Sequence, residues 1–159
     1  MTGENALRAA LRDFYEDYAA CLDAFELERW PEFFADDCRY RVTSAENYSA
    51  GQPLSLIYCD GMDMLIDRVV ALRETTVYEP RSLRHFVSGT RIVERVDAST
   101  VRSTANFLIV ESLADQESAI NTVGRYIDTV VQADNRLLFK DRWCVYDNWR
   151  INNSLVVPV

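Results

Sequence analysis

Histidine is nearly missing: His85 is the only one in 159 residues. An iron–sulfur cluster held by two Cys and two His, or a mononuclear iron held by two His and a carboxylate, is therefore beyond this chain alone. A zinc site would have to combine His85 with scattered Cys or carboxylates that follow no ligand spacing. Glycine is scarce as well, five residues in all. There is neither a Gly-rich phosphate loop nor a G-x-S-x-G nucleophile elbow, which removes most support for nucleotide-dependent and serine-hydrolase chemistry. Cys21, Cys38, Cys59 and Cys144 form no C-x-x-C pair and sit among apolar neighbours, so buried free thiols in a reducing compartment are expected.

Long apolar runs are absent too, with no stretch near the roughly 18 residues of a membrane span and no basic-then-apolar leader. A cytoplasmic protein without membrane contact is the expectation. Positive charge is in deficit: 17 Lys and Arg stand against 25 Asp and Glu, for a net charge of −8 and a pI near 4.7. Such a surface repels phosphate backbones, which argues against nucleic acid as a partner.

Hydrophobic residues make up 48% of the chain, enough for one domain over residues 1–159 to bury a core without disulfide or metal staples. From Asn5 to Leu22 the apolar groups Leu7, Leu11, Phe14, Tyr15, Tyr18 and Leu22 recur every three or four positions, predicting an amphipathic helix. A short second helix is expected over Phe25 to Phe34, closed by Asp36-Asp37, then a strand over Cys38 to Thr43 and a polar loop from Ser44 to Pro53. Ser55 to Cys59 reads as a short extended piece, and Met62 to about Thr75 returns to helical spacing.

After Pro80 the period becomes two, in runs near Arg84 to Val96, Thr100 to Leu113, Glu117 to Gln132 and Arg136 to Trp149. The connections at 97–99, 114–116 and 133–135 are turn-like and too short for crossover helices, so these strands should form an antiparallel meander. Gly89 and Gly124 are candidate bends in strands this long. Helices followed by long strands give an α+β class, a strongly curved and mainly antiparallel sheet wrapped as a cone-shaped half barrel over the N-terminal helices. The apolar end, Ile151 to Val159, is expected to dock.

What catalysis the residues permit is general acid–base work inside the cone, His85 acting with a carboxylate such as Asp36 or Asp63 and phenols such as Tyr15, Tyr40 or Tyr58. The plainer role for His85 is ordinary hydrogen bonding beside the sheet. Trp30, Trp143 and Trp149 read as packing residues. Asp63, Asp67, Arg68, Arg73 and Glu74 read as a solvated helix face. The alternating Arg81, Arg84, Arg91 and Arg95 suit contact with a partner subunit, since arginine is enriched at interfaces.

Several segments together resemble the small (beta) subunit of Rieske non-haem iron aromatic-ring-hydroxylating oxygenases. They are Trp30-Pro31-Glu32-Phe33-Phe34 with Cys38 to Val42, the run Asp63 to Arg73, Arg84-His85, Arg142 to Asp147, and the tail Asn153 to Pro158. The resemblance covers essentially the whole chain. It implies a cystatin-like (nuclear-transport-factor-like) cone and a non-catalytic structural role, with no catalytic, cofactor-binding or metal-ligating residue in this chain. It further implies a large (alpha) subunit that carries the Rieske [2Fe–2S] cluster and mononuclear iron and receives electrons from ferredoxin and reductase. The implied assembly is an α3β3 hexamer on a β3 base. Gly51 to Leu54 and Arg73-Glu74-Thr75 look most similar to small subunits of salicylate 5-hydroxylase, with terephthalate and other benzoate-type oxygenases close behind, so an aromatic acid such as a hydroxybenzoate is the implied substrate of the complex. The rival is a stand-alone cone-fold dehydratase, isomerase or hydrolase using His85 with an aspartate, which requires an open pocket. A binding module would show the pocket without the pair.

Overall fold

The computed structural model describes residues 3–147 and 155–159. Helix α1 spans Gly3–Asp23 and buries Leu11, Tyr15, Tyr18 and Leu22, the stripe that the spacing predicts. It ends in a Schellman-type turn, with Glu26 N bonded to Cys21 O and Phe25 N to Leu22 O, and Phe25 holds the left-handed conformation at φ 55°.

The expected helix over Phe25 to Phe34 is only a 3-10 turn, Trp30–Phe33, because Pro31 starts it and the chain is already extended at Phe34. Asp36-Asp37 does not close a helix. Both lie exposed within β1, Phe34–Ser44, where the pairing to the last strand jumps from Phe34↔Phe139 to Arg39↔Asp141. The bulge turns these carboxylates to solvent. The polar stretch after β1 contains a short helix α2, Ala45–Ser49, because Ser44 caps it by accepting from Asn47 N at 3.1 Å. Strand β2, Ile57–Asp60, and helix α3, Met62–Glu74, follow the predicted pattern.

Strands β3 (Arg81–Arg95), β4 (Thr100–Leu113), β5 (Ala119–Ala133) and β6 (Arg136–Tyr146) form the antiparallel meander. Trp149 lies outside the described residues. The β5–β6 connection is the two-residue pair Asp134-Asn135, both at positive φ, a primed turn whose twist suits a tight hairpin. Strand β1 then runs parallel to β6, giving one sheet in the order β2-β1-β6-β5-β4-β3.

Gly89, at φ 65°, sits where the β3–β4 register shifts between Ser88 and Arg91, and is the bend anticipated. Gly124 serves differently. A Cβ there would lie 2.0 Å from Val145 O and 2.8 Å from Tyr146 Cα, so glycine permits β6 to approach β5 closely. Helix α1 packs across the sheet's concave face, and the core between them is the cone's interior.

Candidate functional site

His85 points from β3 toward the end of α1. Its Nδ1 lies 2.6 Å from Asp23 Oδ1, and the same carboxylate accepts from the His85 backbone N–H at 3.0 and 3.1 Å. The histidine side chain has no exposed surface, and its Nε2 has no partner among the described residues. Asp23 was not among the aspartates that the sequence pattern nominated. Asp36 and Asp63 are both exposed on other elements. Only topology brings the last residue of α1 onto β3, 62 positions away, which no local spacing encodes. The pair is a sealed clasp between helix and sheet, and the open approach that acid–base catalysis needs is not there.

The phenols divide likewise. Tyr58 is 48% exposed at the sheet edge. Tyr15 and Tyr40 reach the cone's interior, away from the His85 clasp. Tyr15 donates to Asp128 and sits 3.0 Å from Ser103 Oγ. Arg142 Nη1 meets Asp128 Oδ2 at 2.8 Å, both side chains being wholly buried. The guanidinium carbon lies 3.7 Å from the Tyr126 ring centroid, 4.0 Å from Phe139 and 4.3 Å from Tyr18. Arg142 Nε and Nη2 have no hydrogen-bond acceptor among the described residues, so aromatic faces take that role.

Burial pushes Asp128 up to about 7, against the opposing pull of Arg142 and the Tyr15 hydrogen bond. Burial also raises Tyr15 well above its ordinary range, helped by the neighbouring Asp128 carboxylate. Arg142 stays firmly charged: desolvation opposes its charge, and the surrounding acidic groups, Asp128 first, outweigh that. Period-two spacing placed Asp128 and Arg142 on strands, but a charged pair at inward positions contradicts the usual apolar rule, so sequence reasoning passed over both.

The tail closes the remaining opening. Val156, Val157 and Val159 are buried, and Val159 O accepts from Tyr18 Oη at 2.9 Å, Tyr40 Oη at 3.3 Å and Cys144 Sγ at 3.3 Å. Trp30 donates to Tyr18 Oη at 3.0 Å and stacks edge-on against Phe34 and Tyr40. All four cysteines are buried and unbridged, and burial lifts the Cys144 thiol to about 12, which makes it inert. The cone's interior is thus occupied by its own side chains and tail.

Trp143 lies on the opposite face of the sheet, 3.6 Å under the Arg41 guanidinium and against Tyr48. On α3, Asp63 and Asp67 are solvated, Arg73 pairs with Glu28 at 2.7 Å, and Arg68 reaches the Leu155 and Val156 carbonyls at 3.5 Å. Among the described residues no three His, Cys, Asp or Glu side chains come together as metal ligands, and no helix is long and apolar enough to cross a membrane. With one histidine in the sequence, the residues do not fit a Rieske cluster or a two-histidine iron site.

Residues 18–153 match the family model described as "Ring hydroxylating beta subunit". The small subunit of anthranilate 1,2-dioxygenase from Burkholderia cepacia is 37% identical over 142 residues, 89% of this chain and 88% of that protein. Subunit beta 1 of the terminal oxygenase component of terephthalate 1,2-dioxygenase from Comamonas sp is 31% identical over 146 residues, 92% of this chain and 94% of its own length. A crystal structure from Novosphingobium aromaticivorans DSM 12444, of a beta subunit assigned to an aromatic-ring-hydroxylating dioxygenase, superposes with a TM-score of 0.89 at 34% identity, covering 98% of this chain and 99% of that one.

Proposed function

The chain belongs to the ring-hydroxylating beta subunit family, and from that membership we propose that it is the structural small subunit of a multicomponent oxygenase, acting as one cone-shaped domain over residues 1–159. The observation that carries this reading is the filled interior. Arg142, Asp128, the surrounding rings and the tail occupy the space where a small-molecule enzyme of this shape would keep a pocket. The iron chemistry falls to a large subunit bearing the Rieske cluster and mononuclear iron, reduced through a ferredoxin and reductase. The assembly is α3β3 on a β3 base, in the cytoplasm. The substrate class is a benzoate-type aromatic acid such as a hydroxybenzoate, since the matched relatives are named for anthranilate and terephthalate.

Co-expression with a ring-hydroxylating oxygenase large subunit from the same organism tests the proposal. The expected result is one co-purifying complex with equal copies of each chain, whose ring-hydroxylating activity is lost when this chain is omitted. A chain that purifies as a monomer, takes up no large subunit and leaves activity unchanged when omitted would refute it.

A further inference from the structure

Along β4 and β5, Ser103, Ala105, Phe107, Tyr126 and Asp128 face inward and are buried, so the residues between them face outward. On that outer face Phe86, Leu108 and Val123 stand in one register row across β3, β4 and β5. Phe86 is 57% exposed and Val123 38%. Arg84, opposite Val110, borders the row on one side. On the other, Arg91 and Arg125 flank a shallow cavity of about 340 Å³ lined also by Gly89, Thr104, Asn106 and Ile127. No carboxylate lines that cavity. Among the described residues these three arginines have no carboxylate partner, whereas Arg81 and Arg102 are paired with Glu111 and Glu94.

An apolar row rimmed by unpaired arginines, on a chain of net charge −8, is a segregated surface. Exposed aromatic and arginine side chains with no acid among them are the composition of an interface centre. We propose that this outer face of β3–β5 is where a second copy of this chain docks, its carboxylates entering between Arg91 and Arg125 and its apolar surface covering Phe86. This inference rests on the β3 base proposed above and names the face that builds it. Charge selects the geometry. The same face cannot meet itself, because arginines would oppose arginines. The rest of the chain is more acidic than its total, so carboxylates outnumber cations on the faces that a second copy can offer. Contact between two different faces is heterologous, and such contacts close into a ring when the rotation from copy to copy divides a full turn.

Native mass spectrometry and sedimentation velocity on the full chain, alone and co-expressed with the large subunit, test this. The double variant Arg91→Glu/Arg125→Glu is expected to raise the self-dissociation constant at least about tenfold, and raising salt from about 50 to about 500 mM should weaken wild-type self-association in the same direction. Phe86→Ser should act likewise. Ile66→Ser/Val70→Ser, an exposed apolar pair on α3, should leave self-association unchanged, with circular dichroism used to check that each variant folds. Undiminished self-association of the Arg91/Arg125 variant overturns the inference. So does a variant that stays self-associated but loses the large subunit, which would assign the face to that partner. A wild-type chain that self-associates but takes up no large subunit would instead sink the proposed function and leave this inference standing.

Discussion

Arg142→Met should destabilise the protein by an amount that grows with pH, because Arg142 is what keeps Asp128 from holding its proton still more tightly. Asp128 is raised from 3.8 to about 7 in the folded state by burial, with Arg142 foremost among the opposing influences. A carboxyl whose folded value is raised contributes stability that is fully present below its unfolded value and is lost as pH rises through the folded value. In the wild type this loss runs from about pH 4 to about pH 7 at roughly 1.4 kcal/mol per pH unit, and then stops. Without the guanidinium the folded carboxyl keeps its proton to higher pH, so the loss continues. Between about pH 6 and about pH 8.5 the penalty of Arg142→Met should therefore grow by about 2 kcal/mol, on top of a pH-independent cost from the emptied space among Tyr18, Tyr126 and Phe139. For a chain of this size that growth is a further drop in melting temperature of about 4 to 8 °C. Urea titrations at the two pH values measure it, and Asp128→Asn in the Arg142→Met background should abolish the growth. A penalty of equal size at both pH values would refute the account of the pair.

Gly124→Ala should cost about 3 kcal/mol or more, since the added Cβ meets the Val145 carbonyl and Tyr146 Cα, backbone atoms that no rotamer change can clear; a change in urea midpoint worth less than about 1 kcal/mol would mean β6 can step aside. Asp23→Ala strands the buried His85 N–H groups and should cost about 1 to 3 kcal/mol. Hydrogen exchange at the His85 amide should rise in that variant, and unchanged protection there would show that the clasp does not hold α1 to β3.

The four long strands were legible because alternation over a dozen residues has no helical counterpart, and Asp134-Asn135 supplied turn chemistry that only tolerant residues can adopt. Helix α1 was legible for the same reason at period 3.6. Two kinds of feature were hidden. Short elements depend on single contacts: α2 rests on the Ser44 cap, and the Asp36-Asp37 pair reads as a helix stop until the bulge against β6 shows why β1 tolerates it. Long-range pairings leave no local trace, which is why His85 could be singled out while its partner Asp23 could not, and why the parallel β1–β6 contact went unread. Asp128 and Arg142 were hidden by their success as a pair, since each alone at an inward strand position looks like a register error.

The interior and the outer face answer to different physical demands. Inside, a buried ion pair boxed by four aromatic rings adds little net stability over a well-packed apolar core, because desolvation offsets most of the attraction. What it adds is directionality: Tyr15 of α1 donates to Asp128 of β5 and meets Ser103 of β4, and Arg142 reaches Asp128 from β6, so helix and sheet lock at one angle. A scaffold that must present its outer sheet at a fixed curvature benefits from such locking more than an enzyme whose cone must open to ligand. Changes to Asp128 or Arg142 should then act on stability and leave partner preference intact, whereas changes to Phe86, Arg91 or Arg125 should alter assembly at constant stability. A single substitution on the outer face that moved both together would show that the cone's shape and its contacts are not separable.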